Sequence, residues 1–325
     1  MKVGITYDFR EDYLRKGFSR EEVAEFDTEE TIGALQATLN ELGYETERIG
    51  GFEDLARMLL AGRRTDMVFN ICEGMYGIGR EAQVPAILDG YRIPYTFSDA
   101  AVLAVTLHKG LTKRIVRDLG IATPGFAVID TDDDIADARL KYPLFAKPVA
   151  EGTGKGITGF SKIADSAELR AVCGELLRKY RQPVLVEEFL PGREFTAGIV
   201  GTGKSAQVIG AMEVLFVDTG TKGIYSYESK ANYENRIAYN KADEDILPIM
   251  EEAALKVWRG LGCRDAGRMD FRMDDAGQLN FLEVNPLAGL NPIHSDLPII
   301  CRMYGIPFKD LIGAIMDSAR ARMEG

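Results

Sequence analysis

Two segments near the C-terminal end carry polar side chains at a spacing that could bind a metal ion. The segments GRMDFRM at 267–273 and FLEVNPLAGLN at 281–291 alternate as β-strands do, and turn-forming residues at 274–277 lie between them. We therefore predict an antiparallel hairpin whose turn pairs Met273 near Gln278.

In this register the polar side chains fall on one face of the hairpin. Alternation puts Arg268 and Asp270 on the same side of the first strand, and Phe281, Glu283 and Asn285 on the same side of the second. Arg268 then faces Glu283, and Asp270 lies diagonally from it at about 7 to 8 Å. Carboxylate and amide oxygens suit Mg²⁺, so Asp270, Glu283 and Asn285 are candidate ligands. A hairpin whose polar face is only solvated shows the same alternation.

Composition and charge exclude several classes of function. A chain of 325 residues with 46% hydrophobic content is long enough for two or three domains with buried cores. The net charge of -11 and the lack of a basic run argue against a nucleic-acid or anionic-membrane partner. The N-terminus MKVGITYDF is typical of a strand, not of a signal peptide, and no apolar run approaches about 18 residues, so we expect a cytoplasmic protein. Four scattered cysteines and two histidines indicate neither zinc nor disulfides.

Strands and helices alternate along the chain in the manner of an α/β protein. Residues 1–97 predict a small domain with a largely parallel sheet, in which the segment 8–27 is long for a loop between a strand and a helix. Ligands gather beyond the carboxyl ends of strands in open α/β sheets, so this segment is a candidate substrate site. A solvated excursion is the alternative. Strands are predicted at 2–7, 45–49, 66–70, 126–129, 144–148 and 183–189. Helices are predicted at 28–42, 101–119, 166–180, 243–261 and 308–321.

Two glycine motifs suggest nucleotide binding, and one of them is a decoy. The segment GIVGTGKS at 198–205 has the letters of a P-loop, but 206–214 alternates as a strand where a P-loop requires a helix. We predict a hairpin turn there. The segment EGTGKG at 151–156 lies between two predicted strands, where its backbone N–H groups, with Lys147 and Lys155, could hold an anion.

The order of these pieces resembles the ATP-grasp superfamily, most closely its D-alanine–D-alanine ligase branch. The resemblance covers about 70% of the chain, from Phe69 to Pro298. It runs from CEGMYGIGREAQVPAILDGYRIPYTF through LFAKPVAEGTGKGIT, VLVEEFLPGREFT, YESKA and GRMDF to FLEVN. It implies three domains at 1–97, 98–187 and 188–325, the last two clamping the nucleotide.

The resemblance also implies a nucleotide site that binds ATP. Lys113 and Lys147 match the lysines on the phosphates, and Glu194 matches a carboxylate on the ribose. A glycine loop covers the phosphates and an edge strand reads the adenine. The residues that match these two elements are Glu151, Thr153, Glu187, Glu188, Phe189, Leu190 and Leu282.

Metal and reaction sites follow from the same resemblance. Asp270, Glu283 and Asn285 match ligands of a pair of Mg²⁺ ions, with Mn²⁺ as an alternative. The remaining matches are Lys230, on the transferred phosphate, and Arg268 with the N–H of Gly289, on the oxyanion of the tetrahedral intermediate.

The first-substrate site departs from the family pattern. The Gly-Gly-x-Ser-x-Glu loop of the D-alanine ligases is replaced by YDFREDY, Lys230 is followed by Ala231 where a tyrosine is usual, and Glu73-Gly74 stands for His-Gly. Tyr7, Arg10 and Glu73 are therefore our candidates for contacting a different donor, and each could equally be structural. His294 and Ser295 match the segment that binds the carboxylate of the second substrate.

Together these features predict an ATP- and magnesium-dependent ligase that joins a small carboxylate substrate to an amine through an acyl phosphate. Its substrates are expected to be amino acids, and its relatives are often homodimers. One alternative is a ligase that uses a hydroxyl or a non-α amine as nucleophile. Another is an inactive nucleotide-binding regulator, against which the complete set of metal and oxyanion residues argues.

Overall fold

Three β-sheets organise residues 1–216 and 237–323, the part of the chain that this computed structural model describes. The strands are β1 (Lys2–Thr6), β2 (Glu45–Gly50), β3 (Met67–Asn70), β4 (Phe126–Ile129), β5 (Leu144–Pro148), β6 (Lys162–Ile163), β7 (Val184–Glu188), β8 (Glu194–Val200), β9 (Gln207–Phe216), β10 (Ile237–Lys241), β11 (Ala266–Met273) and β12 (Leu279–Asn285). The helices are α1 (Arg10–Arg15), α2 (Glu29–Glu41), α3 (Phe52–Leu60), α4 (Gln83–Tyr91), α5 (Ala100–Leu107), α6 (Lys109–Asp118), α7 (Asp134–Asp137), α8 (Ser166–Tyr180), α9 (Leu247–Leu261), α10 (Asp296–Met303) and α11 (Phe308–Ala321).

The first sheet is parallel, in the order β2-β1-β3, as the alternation of strands and helices predicts. Its core packs Ile5 and Phe69 against Leu35 and Leu39 of α2, all fully buried. The long segment after β1 is not wholly irregular, because it contains α1 and closes with a bridge between Phe9 and Asp27. It thus returns to the carboxyl edge of the sheet. None of the helices in the described ranges is long and apolar enough to cross a membrane.

The second sheet holds the glycine-rich loop. Its strands are antiparallel in the order β4-β7-β5-β6, and the predicted loop joins β5 to β6. Helix α8 covers the sheet with Leu169, Cys173 and Leu176. The loop is therefore anchored at both ends by paired strands.

The third sheet is antiparallel, in the order β10-β9-β8-β11-β12. The P-loop letters at 198–205 cover the end of β8 and the short connection that leads into β9, so a strand follows the motif where a P-loop requires a helix, and the motif is a decoy. Trp258 of α9 is fully buried against this sheet, and its indole donates to Gly201 O at 3.1 Å. All four cysteines are free and buried.

The hairpin β11–β12 exists, but its predicted register is wrong. Met273 pairs with Leu279, and an irregularity at the Asp270/Phe271 step shifts the register again. Asp270 consequently lies directly opposite Glu283, and Arg268 opposite Asn285.

The shift has a physical cause in a buried aromatic pair. Phe281 does not share a face with Glu283 as predicted, because it is fully buried and stacks edge-on against Phe271, with ring centroids 6.2 Å apart. Leu282 is the extra residue of the resulting bulge. Phe281 thereby enters the core while Leu282 and Glu283 both line a cavity.

The helix predicted over 101–119 is two helices, α5 and α6, which meet at His108. The imidazole Nδ1 of His108 accepts a hydrogen bond from Leu111 N at 3.2 Å, and so caps α6. Lys109 is therefore the first residue of α6, close to the glycine loop.

Candidate active site

Two cavities meet between the three sheets. The larger has a volume of about 900 Å³ and is lined mainly by the segment 8–27, the hairpin and the loop after β12. The smaller, of about 130 Å³, lies between the second and third sheets. Residues that line both cavities mark their junction, and these are Lys109, Glu151, Gly152, Thr153, Arg268, Glu283 and Asp296.

The smaller cavity contains almost all of the residues that match a nucleotide site. Lys147 Nζ lies 3.1 Å from Glu187 Oε2 and 4.0 Å from Glu283 Oε2, and Arg272 Nη1 donates to Glu194 Oε2 at 3.0 Å. Burial lowers the pKa of Lys147, but Glu187 and Glu283 outweigh it, so the pKa is raised. The predicted residues that line this cavity are Lys147, Glu151, Thr153, Glu187, Glu188, Phe189, Leu190, Glu194 and Leu282.

Lys113 is not part of either lining. It is completely buried, and its Nζ donates to Thr123 Oγ1 at 2.8 Å and lies 2.5 Å from Glu187 Oε1. Burial lowers its pKa to about 8 despite the carboxylate of Glu187. Its contacts give it the position of a support for Glu187, and not of a phosphate ligand.

Lys109, one turn earlier in α6, lies at the junction of the cavities. Its Nζ donates to Glu151 O at 2.6 Å and is 3.6 Å from Glu283 Oε2. The sequence analysis missed this lysine because it predicted one continuous helix over 101–119, where the structure has two. The histidine before it, which can cap a helix, was the available signal.

The hairpin presents three oxygen donors. Asp270 accepts a hydrogen bond from Thr196 Oγ1 at 2.9 Å and forms an ion pair with Arg268. Glu283 lies directly opposite Asp270 on the neighbouring strand. The amide nitrogen of Asn285 is buried and lacks a hydrogen-bond partner in the described part of the chain. Two apposed carboxylates and the amide oxygen of Asn285 fit a hard cation such as Mg²⁺.

This donor set is incomplete without oxygens from a ligand. Within residues 1–216 and 237–323, no three His, Cys, Asp or Glu side chains are grouped as a metal site. Mg²⁺ characteristically shares its shell with substrate phosphates, so phosphate oxygens would complete the coordination.

Arg268 links the two cavities. Its guanidinium pairs with Asp270 and lies with Nε 3.5 Å from Asp296 Oδ2. Burial lowers the pKa of Arg268, but the carboxylates of Asp270 and Asp296 raise it by more. The net pKa is raised, so the side chain is a permanent cation. Gly289 lines the larger cavity, and the role of its N–H on the oxyanion stays a prediction. Asp296 was not foreseen, because nothing in its local sequence distinguishes it from a first-turn helix acid.

The loop after the hairpin forms the far wall of the larger cavity. Asn291 N donates to Ser295 Oγ at 3.0 Å, and His294 N donates to Asn291 Oδ1 at 2.9 Å. Ser295 precedes α10, so the positive end of that helix is close to the cavity. Both His294 and Ser295 line it.

Two of the three donor-site candidates reach the cavity. Glu73 and Arg10 line it, but Arg10 donates to Phe26 O at 3.0 Å and to Ala24 O at 3.2 Å, which holds the segment in place. Tyr7 is absent from the lining and packs against the core of the first sheet.

A buried ion network joins the segment 8–27 to the glycine loop. Glu25 lies 2.9 Å from Arg80 Nη2 and 2.7 Å from Lys155 Nζ, and Lys155 also pairs with Glu151 at 2.9 Å. Arg80 donates to Ala150 O at 2.6 Å. Burial raises the pKa of Glu25, but Arg80 and Lys155 outweigh it and lower the pKa to about 2. The network was missed because its members are far apart in sequence.

Lys230 lies outside the described residues. Its predicted role on the transferred phosphate therefore stays a prediction.

Known proteins are similar to this chain in sequence and in architecture. The family model described as "D-ala D-ala ligase C-terminus" matches residues 115–317. A D-alanine–D-alanine ligase of Aquifex aeolicus is 35% identical over 288 residues, which are 87% of this chain and 92% of that protein.

Solved structures confirm the ATP-grasp fold. The D-alanine–D-alanine ligase of Bacillus anthracis, solved in complex with ATP, has a TM-score of 0.73 at 20% identity, covering 100% of this chain and 99% of that one. The VanG D-Ala:D-Ser ligase of Enterococcus faecalis has a TM-score of 0.75 at 20% identity, covering 98% and 99%. With more than half of its length matched by the family model, this chain belongs to the D-alanine–D-alanine ligase family of ATP- and magnesium-dependent C–N ligases.

Proposed function

We propose that this ligase joins an amino-acid carboxylate to an amine at the junction of the two cavities, through an acyl phosphate. The observation that carries the proposal is the position of Lys109, Arg268 and Glu283, each of which lines both cavities. A nucleotide in the smaller cavity and a substrate in the larger would meet at these side chains.

The first step is transfer of the γ-phosphoryl group of ATP to the donor carboxylate. Lys147 and Lys109 would neutralise phosphate charge, and the glycine loop with Thr153 would cover it. Magnesium, bound by Asp270, Glu283 and Asn285, would supply further neutralisation of the phosphates. We propose a pair of ions, with Mn²⁺ as a possible substitute. Because the step makes no covalent bond to the protein, positioning and charge account for most of the rate.

The second step is attack of the amine on the acyl carbon. Negative charge develops on the carbonyl oxygen, and Arg268 with the N–H of Gly289 would stabilise it. Loss of one such donor costs about 10²- to 10³-fold in rate. Lys230 would act on the transferred phosphate.

The amine substrate would carry a carboxylate of its own. The positive end of α10 and the polar groups of His294 and Ser295 face the larger cavity and suit an anionic group. The relatives are named as ligases that join D-alanine to D-alanine or to D-serine, and these names support a small amino acid as the amine substrate.

The organisation of the molecule is part of the proposal. We place domain boundaries at 97/98 and 187/188. Three separate sheets support a division into three parts, and because β7 ends at Glu188 they favour a second boundary just after that residue. A homodimer and a cytoplasmic location, where ATP is abundant, complete the proposal.

The test is phosphate release from ATP with D- and L-amino acids, supplied singly and in pairs, followed by the mass of the product. We expect ADP, phosphate and one amide in equal amounts with a productive pair. Absence of amino-acid-dependent phosphate release, or formation of AMP, would contradict the proposal.

A further inference from the structure

Three carboxylates in the wall of the larger cavity have no partner in the described part of the chain. Asp27, Glu73 and Glu81 line the cavity, and none of their side chains accepts a hydrogen bond or forms an ion pair there. Glu81 is the most enclosed, with 9% of its surface exposed. A buried carboxylate without a partner is costly, so the arrangement indicates a neutralising group outside the described residues.

The cations that line the same cavity cannot supply that group. Arg10 holds the carbonyls of Ala24 and Phe26, Lys109 holds that of Glu151, and Arg268 pairs with Asp270. Arg20, the fourth cation of this lining, is also engaged. No cation in the described part of the chain therefore forms an ion pair with any of the three carboxylates, and Arg10, Arg80 and Lys109 act on them only at longer range.

Their titration shows the resulting electrostatic strain. Burial raises the pKa of Asp27 to about 7, in spite of Arg10. Burial raises that of Glu81 to about 7, with Arg80 opposing. Burial and the charges of Glu81 and Glu25 raise the pKa of Glu73 well above its ordinary value. A cation among these groups would bring all three back toward ordinary acidity.

The acidic wall extends away from the reaction centre. The charge of Glu283 acts on Glu81, and the charges of Glu81 and Asp27 act on Glu73. A donor whose carboxylate lies at Glu283 and Lys109 would therefore direct its remaining groups along this wall, toward the segment 8–27.

Resting on the proposed function, we propose that the donor amino acid carries a second cationic group besides its α-ammonium, as a diamino or other basic amino acid does. A single α-ammonium would leave two of the three carboxylates unneutralised, and a second cationic group would reduce this to one. The cavity of about 900 Å³, near the upper end of the range of about 300 to 1,000 Å³ for small-molecule sites, also accommodates a longer side chain.

The test compares donors that differ only in charge. Phosphate release and product mass are measured with D- and L-lysine, ornithine and 2,4-diaminobutyrate as donors, against norleucine, norvaline and 2-aminobutyrate, with one fixed acceptor. We expect kcat/KM to be at least about 10²-fold higher for one basic donor than for its uncharged counterpart. Equal or better turnover of the uncharged donors would overturn this inference while the proposed function stands. No turnover with any of these donors would likewise overturn this inference, whereas the proposed function fails only if the wider amino-acid panel releases no phosphate.

Charge-neutralising variants locate the preference. Glu73→Gln and Glu81→Gln should raise KM for the basic donor by at least about tenfold and reduce its advantage over the uncharged one. Glu22→Gln, on the same segment but outside the cavity, is the matched control. An unchanged preference for the basic donor in both Gln variants would overturn the assignment. Fluorescence titration verifies that each variant still binds ATP, as this comparison requires. The wild-type donor comparison stands independently of how the variants fold.

Discussion

At the scale of single residues, the junction of the cavities is a balance of opposed charges. Burial raises the pKa of Glu283, but Lys109, Lys147 and Arg268 outweigh it and hold the pKa well below its usual value. Burial raises the pKa of Asp270, and the facing Glu283 raises it further, against the charge of Arg268. The charge of Glu283 therefore disfavours ionisation of Asp270, and a cation between the two carboxylates would relieve this effect, as expected of a pair of metal ligands.

We predict that Asp270→Asn and Glu283→Gln each reduce ADP release by at least about 10²-fold, because phosphate charge is then poorly neutralised. The measurement is a coupled assay over a range of Mg²⁺ concentrations. Asp275→Asn, in the exposed turn of the same hairpin, is the control and should retain wild-type activity. Wild-type turnover by either site variant would refute the metal assignment.

The two lysines of α6 should separate activity from stability. Lys109→Met is expected to reduce turnover by about 10²- to 10³-fold with the fold intact, because it removes a cation at the junction. Lys113→Met breaks the buried pair with Glu187 and should lower the free energy of unfolding by about 3 to 5 kcal/mol. Urea denaturation and steady-state kinetics on both variants check this. A reversed pattern would restore Lys113 as the phosphate ligand.

Stability should also depend on pH through Glu81. Its pKa is about 7 when folded against 4.5 in the reference state, so only the unfolded chain loses the proton between these values, and stability falls as pH rises through them. Glu81→Gln should therefore have little effect at pH 4 and should stabilise the ligand-free protein at pH 8 by on the order of 1 to 3 kcal/mol. Urea denaturation at both pH values measures this. Equal effects at both would contradict it.

At the scale of elements, the site depends on segments that are distant in sequence. The network of Glu25, Arg80 and Lys155 ties the segment 8–27 to the glycine loop. The segment that we propose recognises the donor is therefore bonded to the loop that we propose covers the phosphates. Gly152 lies so close to Glu25 that a Cβ at position 152 would overlap the Glu25 carboxylate.

We predict that Gly152→Ala displaces the glycine loop and raises KM for ATP by about tenfold or more. Gly159→Ala, in the same loop but with open space around its Cα, should leave KM unchanged. Steady-state kinetics with varied ATP distinguishes them. Equal effects would show that the contact with Glu25 does not matter.

The elements themselves were largely predictable from sequence, because their signals are local. Helix α8 and strands β4 and β5 have the predicted bounds, and the decoy at 198–205 was recognised from alternation alone. The register of the hairpin was not predictable, since the bulge at Leu282 results from burial of Phe281 in a core built by other segments. The break at His108 and the ion network around Glu25 likewise depend on tertiary contacts.

At the scale of the whole molecule, three sheets bring a nucleotide cavity and a substrate cavity together at one junction. The family is established by 35% identity to a relative over 87% of the chain, and three carboxylates, Asp27, Glu73 and Glu81, line the larger cavity. In the proposed function, the junction of the cavities activates the donor carboxylate, and the wall of the larger cavity selects which donor binds.

The most direct test of this account follows the oxygen atoms of the donor. The donor amino acid is labelled with ¹⁸O in its carboxylate, and the phosphate released during ligation is analysed by mass spectrometry. An acyl phosphate transfers one donor oxygen to phosphate, so we predict one ¹⁸O in each phosphate and ADP as the nucleotide product. Unlabelled phosphate, or label in AMP, would contradict the account.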